Sequence, residues 1–289
     1  MARLLITLVV IAFASLTQAA DPYVSTGFLP LPADIEIGPM SAVAVDGADR
    51  VYVLHRGEPP LLVLDGQHKL IAGWGRGEFK LPHGLRVDAQ GNVWVTDNAR
   101  HIARRYSKEG EATLTIGTLD KPGAGPNGLR SPDDLVIDSH GLIYIADAGN
   151  KRIAKFDTDG KYLAEWGGGG REPGKFATAH GLAIDARDRI YVADRGNNRV
   201  QVFTPDGQFQ AAWTDAGNPF GLLVTKEGLI VADGDAHRLT LLDFDGKSLG
   251  AWGSPETLKL PHLMALGPDG TVYVTEVDGK RIQLFRRVK

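Results

Sequence analysis

The chain contains no cysteine and only 3 methionines among its 289 residues. It can therefore form neither a disulfide nor a thiolate metal site, and any metal centre must use histidine and oxygen ligands. Neither sign of charge dominates, because 32 basic residues stand against 35 acidic ones. A surface without a basic excess does not attract nucleic acid, so nucleic acid is not expected as a partner.

Long apolar runs are also missing, except at the N-terminus, which reads MARLLITLVVIAFASLTQAA. Arg3 gives a basic start, residues 4–16 form an apolar run, and Thr17, Ala19 and Ala20 offer small side chains for cleavage. This pattern predicts a signal peptide over residues 1–20, since the run is short for a membrane span. An uncleaved anchor is the alternative. The mature chain is then secreted or periplasmic, with no membrane span.

The mature chain shows no convincing helical periodicity. Short alternating segments, separated by Asp-Gly, Gly-Asn and Pro-Asp-Gly turns, indicate strands instead. The segments align as six copies of one unit, for example LPHGLRVDAQGNVWVTDNA (81–99) and TAHGLAIDARDRIYVADRG (178–196). A repeat of about 40 to 50 residues with four strands per unit predicts an all-β, six-bladed β-propeller.

The sixth unit ends after its third strand, RIQLFRR. The segment YVSTGFLPLP, which follows the predicted signal peptide, is therefore expected to supply the fourth strand of that blade. Such closure removes an exposed sheet edge. Residues 21–289 are thus predicted to form a single propeller, and a monomer is expected because no blade edge needs a partner.

The residue that begins the first strand of each unit is called the front position here. The six front residues are Ser41, His83, Asp133, His180, Phe220 and His262. Innermost strands line the axis of a propeller, so the histidines of alternate units can converge on one point. Three imidazoles with an open fourth position are a ligand set for catalytic zinc, and they also suit copper, nickel or iron. The alternative is that these histidines are ordinary turn residues.

The loop after the second strand also differs between units. Units one and four place Arg56 and Arg195 there, and the other units have no arginine at this position. If the loops lie at the same end of the axis as the histidines, the two guanidiniums flank the metal and can bind a carboxylate. Two solvated loop arginines are the alternative.

The repeats resemble NHL repeats over nearly all of the mature chain, and the chain resembles the catalytic core of the peptidyl-α-hydroxyglycine α-amidating lyases. The family's zinc histidines match His83 in LPHGL, His180 in AHGLAI and His262 in LPHLM. Its substrate-side arginines match Arg56 in VLHRG and Arg195 in VADRGNNRVQVF. The resemblance implies zinc-dependent cleavage of a C–N bond in a small-molecule or peptide substrate that carries a carboxylate, with release of glyoxylate.

One departure concerns the base. The resemblance implies a catalytic tyrosine after the second strand of the third unit, where this chain has Ala148 and Gly149. Asp133, at the front position of the same unit, is the candidate for a substitute base or a metal-associated acid. A solvated turn aspartate is the alternative.

A second departure concerns calcium. The resemblance implies a structural calcium ion bound by the backbone carbonyls of Val43 and Leu85 and by an aspartate after the third histidine, where Leu263 stands. Asp134 is a possible replacement on another blade.

Two other functions remain open. A metal-bound hydroxide could hydrolyse an ester or a lactone, and the missing tyrosine favours this alternative. The chain could also be a non-catalytic NHL module that binds a protein or a glycan, since fold alone does not fix function.

Overall fold

In a computed structural model, residues 21–288 are described and form six four-stranded antiparallel sheets, as expected of a six-bladed propeller. The predicted signal peptide lies outside the described residues. Helical structure in residues 21–288 is limited to two single 3₁₀ turns, Ala148–Asn150 and Arg195–Asn197. No helix in this part of the chain is long and apolar enough to cross a membrane.

The first three blades follow one another along the chain. Blade 1 comprises β2 (Met40–Val45), β3 (Val51–His55), β4 (Leu61–Leu64) and β5 (Leu70–Trp74). Blade 2 comprises β6 (Pro82–Val87), β7 (Val93–Asp97), β8 (Ile102–Tyr106) and β9 (Ala112–Gly117). Blade 3 comprises β10 (Pro132–Ile137), β11 (Ile143–Asp147), β12 (Arg152–Phe156) and β13 (Tyr162–Gly167).

The remaining blades complete the ring. Blade 4 comprises β14 (Ala179–Ile184), β15 (Ile190–Asp194), β16 (Arg199–Phe203) and β17 (Phe209–Trp213). Blade 5 comprises β18 (Pro219–Val224), β19 (Leu229–Asp233), β20 (Arg238–Leu242) and β21 (Ser248–Trp252). Blade 6 comprises β22 (Pro261–Leu266), β23 (Val272–Glu276), β24 (Arg281–Arg287) and the N-terminal strand β1 (Tyr23–Phe28).

Strand β1 closes the ring as predicted. It pairs antiparallel with β24, in a register that places Tyr23 opposite Arg287 and Phe28 opposite Gln283. The Tyr23 ring also stacks on Trp252 of blade 5, with ring centroids 5.1 Å apart. The N-terminal strand therefore joins blade 6 by hydrogen bonds and contacts blade 5 through its side chain.

The hydrophobic core is divided among the interfaces between neighbouring blades. Each of the six interfaces holds one cluster of buried apolar side chains. The second strand of every blade is buried at all five of its positions, as in VYVLH (β3) and VWVTD (β7). These strands are apolar on both faces because each packs against two neighbouring blades.

In five of the six blades, the residue that ends the second strand accepts a backbone N–H group just ahead of the first strand of its own blade. Asp97, for example, accepts the backbone N–H groups of Lys80 and Leu81 at 2.7 and 3.1 Å. In blades 1 and 6 His55 and Glu276 stand at this place. His55 Nδ1 accepts from Gly38 N at 3.1 Å, and Glu276 accepts from the backbone in the same way. The segments that lead into the front positions are thus anchored by the second strands of the same blades.

Candidate metal centre

Three histidines converge on the propeller axis. His83, His180 and His262 are the second residues of the first strands of blades 2, 4 and 6, and their ring centroids lie 4.8 to 5.1 Å apart. Each histidine offers a ligand nitrogen, and these atoms all lie within 4.8 Å of one another. The predicted triangle of histidines is therefore present in the structure.

The intervening blades orient the three rings. His83 Nδ1 lies 2.8 Å from the carbonyl oxygen of Asp133. The Nδ1 atoms of His180 and His262 both lie 2.7 Å from the carbonyl oxygens of Phe220 and Ser41, respectively. A carbonyl oxygen can only accept, so each Nδ1 carries the proton and donates it. Each Nε2 is left with a free lone pair, which is the form that binds a metal.

Burial keeps the rings neutral. The three histidines are between 3% and 6% exposed. Burial lowers the pKa of His262 to about 4, and it lowers the pKa values of His83 and His180 well below the usual range. The positive charges of Arg56 and Arg195 add to this effect at His262. The site therefore presents three neutral nitrogen donors at pH 7, which fit a metal ion such as zinc.

The two predicted arginines lie at the histidine end of the axis, because each contacts a front-position residue. The guanidinium carbon of Arg195 lies 4.3 Å from the ring centroid of Phe220, a cation–π contact. Arg56 Nε donates to Ser41 Oγ at 3.3 Å, and Ser41 Oγ donates to the carbonyl of Pro82 at 2.6 Å. Each arginine is thus supported by a front-position residue.

Asp133 is the acidic side chain at this end of the axis. Its carboxylate accepts from Asn98 Nδ2 at 2.5 Å, and the residue is only 6% exposed. Burial raises the pKa of Asp133 to about 7, although Asn98, Arg195 and Arg56 favour its charged form. The structure therefore brings the candidate base together with both arginines, rather than leaving it as a solvated turn residue.

One of the two positions expected to hold a tyrosine, Gly149, cannot accept a side chain without displacing its neighbours. Ala148 and Gly149 lie in the 3₁₀ turn that follows β11. A Cβ on Gly149 would lie 2.5 Å from Arg130 Cγ and 2.6 Å from the Arg130 carbonyl oxygen. The hydroxyls of Tyr52, Tyr144 and Tyr191 donate to aspartates in the turns between the first and second strands, at the other end of the blades. None of these groups can serve as the base.

The residues predicted to hold calcium do not fit that ion. The carbonyl oxygen of Leu85 accepts a hydrogen bond from Arg86 Nη1 at 2.9 Å, so a guanidinium already contacts this oxygen where the ion would bind. Leu263 is apolar and fully buried, and it supplies no carboxylate. Asp134, considered above as a replacement ligand, pairs with Arg86 at 2.6 Å. Within residues 21–288, neither position considered for the carboxylate ligand therefore offers one to an ion beside Val43 and Leu85.

Three residues of the site were not assigned from the sequence, namely Ser41, Asn98 and Phe220. Ser41 and Phe220 occupy front positions, and Asn98 occupies the loop position that holds Arg56 and Arg195 in other blades. The repeat alignment places all three at the correct end of the axis. It does not show which loop side chain meets which front residue, because the Asn98 contact crosses from blade 2 to blade 3.

The chain contains NHL repeats, whose family pattern matches residues 79–101, 129–156 and 176–203 in blades 2, 3 and 4. It is also similar to the peptidylglycine alpha-amidating monooxygenase of Rattus norvegicus, with 33% identity over 177 residues. That alignment covers 50% of this chain and 18% of the relative. Peptidyl-alpha-hydroxyglycine alpha-amidating lyase 2 of Drosophila melanogaster is 33% identical over 153 residues, which cover 44% of this chain and 38% of the relative.

These similarities confirm the resemblance to the amidating lyases, although the chain spans well under half the length of either relative. Among solved structures, a streptogramin B lyase superposes with a TM-score of 0.68 at 15% identity, covering 92% of this chain and 98% of the other. A gluconolactonase from Xanthomonas campestris superposes with a TM-score of 0.66 at 17% identity, covering 94% and 99%. At such identities the superpositions show the fold alone.

Proposed function

We propose that the chain is an exported zinc-dependent lyase of the peptidyl-α-hydroxyglycine α-amidating type. It would cleave a C–N bond in a small-molecule or peptide substrate that carries a carboxylate. The observation that carries this proposal is the set of three neutral, carbonyl-oriented histidines with two arginines and a buried aspartate at the same end of the axis. The similarity to the Drosophila lyase supports the choice of reaction.

The arginines would bind the substrate carboxylate. Within residues 21–288, the Arg56 side chain donates a hydrogen bond through Nε only. Arg195 contacts the site through the face of its guanidinium, which lies over the Phe220 ring. Their Nη groups are therefore free to donate two parallel hydrogen bonds to a carboxylate. Phe220 and Ser41 hold the two guanidiniums in place before the substrate arrives, which lowers the entropic cost of binding.

Asp133 would act as the base. It lies where two arginines and Asn98 stabilise its charged form, while burial favours its protonated form, so it can both take up and release a proton near neutral pH. Asn98 donates to one carboxylate oxygen and leaves the other for the substrate hydroxyl. A zinc ion held by the Nε2 atoms would supply Lewis acidity that lowers the pKa of that hydroxyl.

The proposed cleavage is an elimination from the α-hydroxyglycine unit. Asp133 takes the hydroxyl proton, the oxygen forms a carbonyl with the α-carbon, and the C–N bond breaks. The nitrogen keeps the electron pair and takes up a proton. The products are an amide and glyoxylate, and neither an oxidant nor a water molecule is consumed.

The test is release of glyoxylate from α-hydroxyhippurate by protein loaded with one zinc ion per chain. We expect equal amounts of glyoxylate and benzamide, with the rate reduced to the uncatalysed level in a His262→Ala protein. Absence of release at high enzyme concentration would reject the lyase. Metal analysis of protein purified without chelator distinguishes zinc from copper, nickel or iron.

A second candidate is a metal-dependent hydrolase that acts on an ester or a lactone. The specific observation in its favour is Gly149, where the close Arg130 backbone excludes a side chain at one of the two positions expected to hold the lyase tyrosine. In this case Asp133 would take a proton from a water molecule instead of from a substrate hydroxyl. Turnover of lactones without glyoxylate release from α-hydroxyhippurate would favour the hydrolase. Failure to turn over either substrate would favour a binding module.

We further propose that residues 1–20 direct export and are removed, and that the mature protein is a monomer. The paired β1 and β24 support the second point, because they leave blade 6 with four strands like the other blades. N-terminal sequencing of the exported protein should begin near Asp21. Light scattering should give the mass of a single chain.

A further inference from the structure

Beyond the front position, two charged residues interrupt the apolar pattern of the innermost strands. Three residues after the front position the chain has Ala44, Arg86, Val136, Ala183, Leu223 and Ala265. One residue after the front position it has Ala42, Gly84, Asp134, Gly181, Gly221 and Leu263. Arg86 and Asp134 are the charged members of these two sets, and they occur in neighbouring blades. The repeat itself therefore points to a pair with a function of its own.

The pair is buried and makes direct contact. Arg86 Nη2 lies 2.6 Å from Asp134 Oδ2, and the Asp134 side chain has no exposed surface. Asp134 also accepts the backbone N–H groups of Leu182 at 2.9 Å and Leu135 at 2.9 Å. Both oxygens of the carboxylate thus accept hydrogen bonds, which a buried charge requires.

Arg86 binds backbone oxygens of two blades as well as this carboxylate. Its Nη1 donates to the carbonyl of Leu85 at 2.9 Å, and its Nη2 donates to the carbonyl of Leu182 at 3.0 Å. Arg86 belongs to blade 2 and Leu182 to blade 4, so the guanidinium reaches past blade 3 towards the axis. It also lines a cavity of about 730 Å³ that is bordered by the first strands of all six blades.

The oxygens around this guanidinium are those of a hard-cation site. Two backbone carbonyls and a carboxylate from three blades are the ligand types that calcium takes in proteins. Leu85 and Leu182 each follow a site histidine by two residues, and Asp134 directly follows Asp133. The Arg86 guanidinium therefore links, through its hydrogen bonds, the three strands that carry His83, Asp133 and His180.

We propose that the Arg86 guanidinium is a built-in cation that takes the place of a structural calcium ion on the propeller axis. The protein accordingly needs no calcium for its stability. This proposal is independent of the reaction proposed above, because it concerns how the strands that carry the histidines are held in place and not the reaction at the metal.

The first measurement uses the wild-type protein loaded with zinc. Its melting temperature should be the same with and without millimolar calcium chloride, and isothermal titration should detect no stoichiometric calcium binding. One calcium ion bound per chain, or a rise in melting temperature of several degrees, would overturn the proposal. This arm needs no variant, so it stands even if the variants fail to fold.

The second measurement compares Arg86→Met with Arg105→Met. Arg105 lines the same cavity, donates hydrogen bonds to the exposed Thr113 and Thr158 and lies over the Trp94 ring, but among the described residues it pairs with no carboxylate. Arg86→Met leaves Asp134 buried without its partner, so its melting temperature should fall on the order of 10 °C, and that of Arg105→Met far less. A fall no larger than in Arg105→Met would contradict the proposed role. Arg86→Lys, which keeps the charge, should recover part of the loss.

The third measurement asks whether the vacated oxygens bind calcium. Calcium chloride should raise the melting temperature of Arg86→Met, or allow it to refold if it does not fold alone. It should not stabilise Arg86→Met combined with Asp134→Asn, which lacks the carboxylate. An Arg86→Met protein that stays insensitive to calcium would show that these oxygens are not a cation site, and the proposal would be wrong.

Discussion

The carbonyl oxygen of Asp133 accepts the Nδ1 proton of His83 at 2.8 Å, across the boundary between blades 2 and 3. The carboxylate of the same residue accepts from Asn98 at the histidine end of the axis. One residue therefore supports a metal ligand through its backbone and offers an acid through its side chain. Because the two roles use different atoms, substitution of the side chain can separate them.

Asp133→Asn should remove the base and keep the metal site. The backbone carbonyl remains, so zinc content should stay near one ion per chain, whereas turnover should fall about 100- to 10,000-fold because general-base catalysis is lost. Metal analysis and steady-state kinetics on the same preparation measure both. Asp206→Asn, at a highly exposed side chain, serves as the control. Unchanged turnover in Asp133→Asn would exclude this residue as the base.

His262→Ala should remove the metal. Two imidazoles remain, and they bind zinc far more weakly than three, so bound zinc should fall well below one ion per chain after dialysis. His140→Ala is the matched control, since His140 is an exposed residue of the turn between β10 and β11, at the opposite end of the blade from the site histidines. Full zinc content in the His262→Ala protein would argue against the site. Elemental analysis measures the zinc content of both proteins.

The repeat made the fold and the histidines predictable. Six aligned units fix the blade count and the equivalence of His83, His180 and His262, because sequence position in a repeat translates directly into position around the ring. The fourth strand of blade 6 was likewise predictable, since a blade with three strands would expose an edge that β1 can cover.

Contacts between different blades could not be predicted in this way. Asn98 and Asp133 belong to different units, as do Arg195 and Phe220, and an alignment says nothing about which side chains cross a boundary. His55 does not share the repeat position of the site histidines. The structure shows that it replaces the aspartate that ends the second strand in other blades, a substitution that the chemistry of its Nδ1 lone pair allows.

Arg195→Ala should weaken the binding of substrates that carry a carboxylate. Loss of hydrogen bonds to a charged group costs about 1.5 to 3 kcal/mol, which corresponds to a KM increase of roughly 10- to 100-fold. A substrate in which a carboxamide replaces the carboxylate should be affected much less. Arg187→Ala, at an exposed position of the same blade, should leave both substrates unchanged. Equal losses on both substrates would contradict the proposed clamp.

Tyr23→Ala should destabilise the closure of the ring. Tyr23 is 3% exposed and stacks on Trp252, so its removal should cost about 3 kcal/mol of unfolding free energy. Val24→Ala, on the same strand but 49% exposed, should cost less than about 1 kcal/mol. Denaturant unfolding of the two variants provides the comparison. Equal costs would indicate that β1 contributes through its backbone alone.

His55 should make the stability of the protein depend on pH. Its Nδ1 accepts backbone hydrogen bonds from Gly38 and Gly57, both at 3.1 Å, and an accepting nitrogen cannot also carry a proton. Burial lowers the pKa of His55 below its usual value, whereas in the unfolded chain it stays near 6.5. As the pH falls below about 6.5, the unfolded chain therefore binds a proton that the folded chain does not bind. Stability is complete above that pH and is lost as the pH falls towards the folded-state pKa.

His55→Asp tests this effect, because an aspartate accepts the corresponding backbone N–H groups in blade 2. The variant should fold, and the pH dependence of its unfolding free energy between about pH 7 and pH 5.5 should be weaker than that of the wild type, by up to about 1.4 kcal/mol per pH unit. Other titrating groups, including those at the metal centre, are common to both proteins and cancel in the difference. His140→Asp should show the wild-type slope, since that position is exposed. Parallel curves for the wild type and His55→Asp would mean that His55 takes up its proton without loss of the two backbone hydrogen bonds.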